Sequence, residues 1–90
     1  MLKAYDKVIE LNPQYSNPWN GKGNVLYNLK KYDEAIKAYD KAIKVEPWNS
    51  YAWNNKGLAL DKLKKHDKAI KAYAEAIKIN PQLKTIKEVL

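Results

Sequence analysis

Residues 16–47 read SNPWNGKGNVLYNLKKYDEAIKAYDKAIKVEP, and residues 50–81 read SYAWNNKGLALDKLKKHDKAIKAYAEAIKINP. Aligned with each other, the two stretches are identical at 19 of 32 positions, and equivalent residues lie 34 apart. The preceding segment fits the same register, because Ala4-Tyr5-Asp6-Lys7 matches Ala38-Tyr39-Asp40-Lys41. A fixed period of this length is typical of a repeat architecture, so the chain holds two full units preceded by the last third of another.

Each unit is predicted to fold as two helices joined by a short Lys-Lys turn. In the second half of the first full unit, apolar side chains recur at i, i+3, i+4, i+7 and i+8, along one face of a helix. These side chains are Ala35, Ala38, Tyr39, Ala42 and Ile43. A proline cannot continue a helix, so Pro47 limits this one to about 33–45. The earlier helix is expected over about 17–29, and Ser16 and Ser50 are the predicted N-caps of the two first helices.

Glycines recur inside the first helix of each unit. Gly23 and Gly57 each lower helix stability by roughly 1 kcal/mol relative to Ala. Because this cost is repeated at one register position, we expect a repeated packing role: the second helix approaches closely where no side chain intervenes. Gly21, whose counterpart is Asn55, places a second glycine in the same turn and predicts that its helix is the less rigid of the two.

The pattern resembles the tetratricopeptide repeat, a 34-residue helix–turn–helix unit with Trp, Leu, Gly, Tyr, Ala, an aromatic, Ala and Pro at fixed offsets. The matching residues are Trp19, Gly23, Ala35, Tyr39, Ala42 and Pro47 in one unit and Trp53, Gly57, Ala69, Tyr73, Ala76 and Pro81 in the next. The family's Leu before the glycine is replaced by Lys22 and Lys56, and its Tyr three residues after the glycine by Leu26 and Leu60. The resemblance implies an all-α fold of antiparallel helix–turn–helix repeats stacked as a right-handed α-solenoid.

On this interpretation residues 1–90 form a single repeat domain. Residues 2–13 are the second helix of a truncated repeat, 16–47 and 50–81 are full repeats, and 83–90 are a short capping helix. About three repeats are normally needed to bury the apolar faces, so we expect a fragment or engineered piece of a longer array. The open face of the first segment predicts a homo-oligomer, formed by end-to-end stacking or by exchange of helices between chains.

The family's first helices line a concave groove that holds an extended peptide or a partner helix. Carried over, its groove positions fall on Asn17, Asn20, Asn24, Tyr27, Asn28, Tyr51, Asn54, Asn55, Leu58, Asp61 and Lys62. An Asn amide can donate to and accept from a peptide backbone at once, which suits sequence-tolerant capture of a peptide segment. The alternative is that these Asn side chains are simply solvated and the groove is empty.

One subtype of the family, the two-carboxylate clamp, grips the acidic C-terminal tails of chaperones. It needs Lys and Asn on its first unit, Asn on its second, and Lys and Arg on its third. If residues 16–47 are that first unit, Asn24 and Asn55 match, but Asn20, Thr85 and Val89 occupy the positions of the three cations. The resemblance therefore predicts no chaperone-tail clamp.

Composition excludes several classes of function. The chain has no Cys and one His, which leaves almost nothing for a transition-metal site. No paired carboxylates, phosphate-binding glycine loop or nucleophile–base pair can be assigned, so no enzymatic activity and no cofactor are expected. No apolar run approaches the roughly 20 residues of a membrane helix, and the first residues do not resemble a signal peptide, so we expect a cytoplasmic protein without a membrane partner.

The net charge is +7, from 17 Lys, no Arg and 10 acidic residues. Because Arg supplies the planar fork that reads phosphates and guanine edges, a specific nucleic-acid partner is not expected. A Lys stripe on the second helices is interpreted as a solvated outer face, with an anionic partner as the less favoured alternative. It comprises Lys37, Lys41, Lys44, Lys68, Lys71 and Lys78.

Two further residues break the repeat consensus. His66 occupies the place of Tyr32 and is interpreted as a surface residue at the turn, since no cluster of acids or Ser is predicted to serve it. Trp48 stands where the other units have Gln14 and Gln82. It is expected to pack over the junction between units, rather than to stay exposed as a contact.

Three functions follow from these observations. A protein–protein interaction scaffold with a peptide-binding groove is favoured. A structural unit that assembles through its own ends is the second hypothesis, and an RNA-binding helical repeat is the third.

Overall fold

The computed structural model describes residues 2–11 and 16–82. Five helices follow one another: α1 (Leu2–Leu11), α2 (Ser16–Asn28), α3 (Tyr32–Val45), α4 (Ser50–Lys62) and α5 (His66–Ile79). No strand occurs in the described ranges, and the predicted all-α repeat fold is confirmed. The end of the predicted helix 2–13 and the predicted capping helix 83–90 lie outside the described residues.

Two identical turns reverse the chain within the full units. After α2, the Lys30 amide donates to the Tyr27 carbonyl and the Lys31 amide donates to the Leu26 carbonyl, both at 2.9 Å. This pair of bonds is a Schellman motif, which needs a left-handed residue at its centre. Lys30 and Lys64 supply it with φ of 63° and 62°, although a left-handed non-glycine residue costs roughly 1 kcal/mol. The turn therefore depends on its hydrogen bonds and on the packing of the two helices.

The predicted N-cap of α4 is wrong by one residue. Ser50 is the first residue of α4, and Asn49 caps the helix because its Oδ1 accepts a hydrogen bond from the Ala52 amide at 3.2 Å. The residue before Ser16, at the start of α2, lies outside the described residues, so the predicted N-cap at Ser16 stays a prediction. Propensity does not separate Asn49 from Ser50, because Asn and Ser cap helices about equally well.

The predicted close approach at the glycines is confirmed. A Cβ built on Gly23 would lie 2.5 Å from Cε1 of Tyr39, and a Cβ on Gly57 would lie 2.5 Å from Cε1 of Tyr73. The ring of each tyrosine thus lies against the bare backbone of the first helix of its own unit. At Gly21 the same space is taken by the ring of Tyr5 from α1, which gives this extra glycine a packing role of its own.

The core consists mainly of small residues. Ala35, Ala42, Ala69 and Ala76 are fully buried, so helices within and between units can pack closely. Ile36 packs against the buried residues of both full units and joins their cores into one.

The stack of helices has an inner and an outer side. Helix α2 contacts both α3 and α4, and α4 contacts both α3 and α5. Among the described helices, α3 and α5 have no Cα atoms within 8 Å of each other. Because the first helices of successive units approach more closely than the second helices, α2 and α4 lie on the inner side of the curve.

Trp48 does not pack over the junction as expected. Its side chain is 65% exposed in the turn between α3 and α4, so the packing interpretation is wrong. Trp53 instead holds this turn, because its indole Nε1 donates a hydrogen bond to the carbonyl of Pro47 at 2.8 Å.

Candidate functional site

A cavity of about 310 Å³ opens between α2 and α4 on the inner side of the stack. Six residues line it: Asn24, Tyr27, Asn28, Tyr39, Asn55 and Leu58. We call this cavity, together with the neighbouring Asn20, the inner groove. Five of the six lining residues belong to the predicted groove set, so the structure places these five around one cavity.

An amide–amide hydrogen bond crosses the inner groove. Nδ2 of Asn55 on α4 donates to Oδ1 of Asn20 on α2 at 3.1 Å. Within the described part of the chain, Asn20 Nδ2 and Asn55 Oδ1 have no other hydrogen-bond partner. The pair therefore leaves the NH₂ group of Asn20 and the carbonyl oxygen of Asn55 unused, a donor group and an acceptor of the kind that the carbonyl and the N–H of a peptide group require.

Tyr39 forms the back of the inner groove. Its hydroxyl donates to Oδ1 of Asn24 at 2.6 Å, and its side chain is 1% exposed. Burial, and to a smaller extent the neighbouring Tyr27, raises the pKa of the Tyr39 hydroxyl well above its ordinary value, so it remains a donor. The oxygen of Asn24 is held by this hydrogen bond, which fixes the amide so that its NH₂ group is left to donate to a ligand.

The other predicted groove residues do not line this cavity. Asp61 accepts a hydrogen bond from the Tyr73 hydroxyl at 2.7 Å, and its other oxygen lies 3.0 Å from Nδ1 of His66. Its carboxylate is thus engaged within the second full unit. The predicted residues Asn17, Tyr51, Asn54 and Lys62 also fall outside the lining, and Tyr51 is 64% exposed.

His66 begins α5 and is exposed, and it faces Asp61 rather than standing alone in the turn. Burial is the main cause that raises the pKa of Tyr73, and its hydrogen bond to Asp61 raises it further. The contact to His66 was missed because residues five apart, on either side of a turn, are not neighbours on a single helix.

Tyr39 is the groove residue that sequence reasoning missed. The sequence pattern places Tyr39 in the apolar stripe of the second helix, which accounts for its ring but gives no partner for its hydroxyl. Asn24 lies six residues before Lys30 and Tyr39 lies eight residues after Lys31, and residues about two turns on either side of a tight turn face each other in an antiparallel helix pair. This symmetry about the turn was the available signal.

The structure also explains why Lys replaces the family's Leu before each glycine. Lys22 Nζ lies 2.8 Å from Oδ1 of Asp6 and 5.8 Å from the centre of the Trp19 ring. Lys56 Nζ lies 2.7 Å from Oδ1 of Asp40 and 5.6 Å from the centre of the Trp53 ring. The ammonium group therefore joins a first helix to the second helix of the preceding unit.

Residues 2–11 and 16–82 contain neither a metal-binding cluster nor a membrane-spanning helix. No group of three His, Cys, Asp or Glu side chains there is arranged to hold a metal ion. No helix there combines the length and the apolar composition needed to cross a bilayer.

A family model described as tetratricopeptide repeat matches residues 2–51 and again residues 20–84. The chain belongs to the tetratricopeptide repeat family. Among curated proteins, none matches the sequence significantly.

Solved tetratricopeptide repeat structures have the same fold. A crystal structure of MamA superposes with a TM-score of 0.84 at 27% identity, over 93% of this chain and 49% of that one. The second such domain of Spaghetti (RPAP3), bound to the HSP90 peptide SRMEEVD, gives 0.84 at 20% identity, over 88% of this chain and 73% of that one. The TPR2B domain of yeast Sti1, in a pHsp70 complex, gives 0.87 at 24% identity, over 93% and 67%.

The last two, below 25% identity, show the shared fold alone. This tetratricopeptide repeat chain spans 49% of one MamA chain and 44% of another, about half the length of these relatives.

Proposed function

We propose that this chain is a non-enzymatic protein–protein interaction scaffold that binds an extended peptide segment in the inner groove. The observation that carries the proposal is the cavity between α2 and α4, with unused amide groups at its wall. Asn20 and Asn55 pair with one peptide group of the ligand, and the NH₂ of Asn24 donates to a second carbonyl. Since these contacts are made to backbone atoms, they tolerate many ligand sequences.

The apolar contacts of the ligand are made by Tyr27 and Leu58. Both line the cavity, and Leu58 is 41% exposed, so it gains burial when a side chain enters. A volume of about 310 Å³ lies at the lower end of the range for ligand pockets, which suits one or two side chains of an extended segment rather than a helix.

Peptide binding by structural neighbours supports this class of function. Spaghetti (RPAP3) holds the HSP90 peptide SRMEEVD, and Sti1 TPR2B forms a complex with pHsp70. We infer a different ligand here, because, with residues 16–47 as the first unit of a clamp, Asn20 replaces one cation and Thr85 and Val89, which lie outside the described residues, replace the other two. A neutral amide cannot balance the charge of a terminal carboxylate as Lys does.

A peptide-array screen followed by titration tests the proposal. We expect binding of uncharged polar peptides, and SRMEEVD is expected to bind no more tightly than its C-terminally amidated form. Replacing both Asn20 and Asn55 by Ala should weaken binding about tenfold, because two hydrogen bonds are lost.

Asn54→Ala is the matched control, since Asn54 lies on the same helix beside Asn55 but does not line the cavity. If no peptide binds, or if Asn54→Ala weakens binding as much as the double substitution does, the inner groove is not the peptide site.

The competing function is self-assembly through α1. None of its residues is buried, and Val8 and Leu11 are 41% and 66% exposed, so α1 presents an apolar surface that a second copy could cover. Sedimentation across a range of concentrations tests this function. Self-assembly requires a dimer or larger species that Val8→Lys with Leu11→Lys dissociates, and a monomer at all concentrations would exclude it.

A further inference from the structure

A second and larger cavity opens on the opposite, outer side of the stack. It is open to solvent, lies between α3 and α5, above α4, and has a volume of about 960 Å³ against about 310 Å³ for the inner groove. We call it the outer cleft. Among the described helices, α3 and α5 each pack on α4 but have no Cα atoms within 8 Å of each other, which leaves the cleft between them.

The floor of the outer cleft is apolar. Ile36, Trp53 and Leu60 lie there, and Ile36 and Trp53 are only partly buried. Both side chains pack against the core of the second full unit, so the floor is a continuation of that core. An apolar side chain of a ligand placed on it would be removed from water at little conformational cost to this chain.

The rim of the outer cleft carries an excess of positive charge. Five lysines line the cleft: Lys37, Lys56, Lys65, Lys68 and Lys71. Three acidic residues line it too: Asp33, Asp40 and Glu75. Lys56 and Asp40 form an ion pair with each other at 2.7 Å, whereas the other four lysines form no ion pair within the described part of the chain. Apart from this ion pair, the rim therefore carries four ammonium groups and two carboxylates.

The lysine stripe predicted from the sequence is thus not one uniform solvated face. Lys37, Lys68 and Lys71 line the outer cleft, whereas Lys41, Lys44 and Lys78 do not. Lys68 belongs to the second full unit alone, because its counterpart in the first is Glu34.

We propose that the outer cleft is a second docking site, which binds an acidic amphipathic segment of a partner protein. One bulky apolar side chain of the segment packs on Ile36 and Trp53, and its carboxylates lie beside Lys68 and Lys71. A nucleic acid fits less well, because the chain has no Arg and the floor offers aliphatic side chains in addition to one indole ring. This site is independent of the inner groove and of its ligand.

The probe for the test is a synthetic peptide with Leu at helical i, i+4 spacing and Glu elsewhere, titrated against the full chain by fluorescence anisotropy. Lys68→Glu combined with Lys71→Glu should weaken binding about tenfold, because two attractive charge pairs become repulsive. Replacing the Leu residues of the probe by Gln should also weaken binding about tenfold, because the apolar contact is lost.

The matched control is Lys7→Glu combined with Lys41→Glu. It changes the net charge by the same amount outside the cleft, at a register position where the second full unit has Glu75. The control should bind the probe within about twofold of the unchanged chain, since long-range charge effects are screened beyond roughly 10 Å. Circular dichroism should show that both double variants remain folded.

Four results would overturn the proposal. The first is absence of binding by the probe, and the second is equal weakening in the control variant. The third is equal binding of the Leu-free peptide or of oligouridylate, which would make the cleft a general anion surface. The fourth is loss of probe binding in Asn20→Ala with Asn55→Ala but not in the lysine variant, which would place the probe in the inner groove.

Discussion

The two full units, 16–47 and 50–81, share their packing but differ in their polar contacts. In both, a tyrosine of the second helix lies against a glycine of the first, and the built Cβ approaches the ring Cε1 to the same 2.5 Å. In both, a lysine joins an aspartate of the preceding helix to a tryptophan ring. The contacts that hold the helices together are therefore repeated with the 34-residue period.

The hydroxyl groups of the same tyrosines find different partners. Tyr39 donates a hydrogen bond to Asn24. The first helix of the second full unit has Leu58 at the position of Asn24, and there Tyr73 donates to Asp61 instead. A second pair of side chains also differs between the units. In the first, Tyr27 and Tyr32 form a T-shaped contact with 5.3 Å between ring centres. In the second, their counterparts Asp61 and His66 form a polar contact.

This difference teaches that packing positions and surface positions are under separate physical constraints. A ring pressed against a glycine allows little change, because interiors are close-packed. A hydroxyl needs only one acceptor within reach, and Asn or Asp at neighbouring positions of the facing helix can supply it. The two units therefore share most of their core residues, whereas the polar side chains of their first helices differ.

Truncating the two tyrosines tests how much the position in the stack matters. Tyr39 is 1% exposed and packs in one cluster with Ala59 of α4, whereas Tyr73 is only half-buried. Tyr39→Ala should lower the free energy of unfolding by about 3–5 kcal/mol, and Tyr73→Ala by about half as much. Urea denaturation measures both. Equal losses would show that the neighbouring unit adds nothing to the burial of Tyr39.

Adding a methyl group at the glycines separates a rigid contact from an adaptable one. Gly23→Ala should destabilise the chain by about 1–2 kcal/mol, because the buried Tyr39 ring cannot move away and the overpacking outweighs the gain in helix propensity. Gly21→Ala should change stability by less than about 1 kcal/mol, since Tyr5 on α1 is only partly buried and can shift. Thermal unfolding of the two single variants gives the comparison, and a larger loss at Gly21 would contradict it.

Alkaline pH should destabilise the chain through the same tyrosines. The pKa of Tyr39 is raised above its ordinary value near 10, mainly by burial. Above pH 10 the unfolded chain therefore releases this proton while the folded chain keeps it. The stabilisation is complete below pH 10 and falls by up to about 1.4 kcal/mol per pH unit above it.

Tyr39→Phe should reduce this loss when urea denaturation is measured between pH 9 and pH 11. The matched control is Tyr51→Phe, which removes the hydroxyl group of a tyrosine that is 64% exposed. An unaltered slope in Tyr39→Phe would show that the ring is accessible in the folded state.

The lysine contacts between units should make the smallest contribution. Lys56→Met should cost about 0.5 kcal/mol or slightly more at low salt, because one partly exposed ion pair and one cation–π contact are lost. Lys22→Met should have a similar effect through Asp6 and Trp19. Lys41→Met, which removes an exposed lysine without an ion pair in the described residues, is the control. A loss that persists in 1 M salt would rule out a mainly electrostatic contact.

Much of this molecule follows from local pattern. The 34-residue period, the apolar stripe over 33–45 and the prolines that end the second helices predicted the helix pairs and their order. Gly23 and Gly57 predicted the close approach of the two helices, because a repeated glycine inside a helix is explained most simply by packing. These features depend on spacing along one helix or on neighbouring helices, and spacing is visible in a sequence.

The contacts between side chains of different units were decided by the way the helices stack. The bond between Asn20 and Asn55, the exposure of Trp48 and the outer cleft above Trp53 all depend on the distances between α2 and α4 and between α3 and α5. Those distances follow from how many small side chains separate the helices along the whole stack. A periodic sequence specifies the same local structure in each unit. The curvature that brings α2 close to α4 and holds α3 apart from α5 depends on the packing of all the units together.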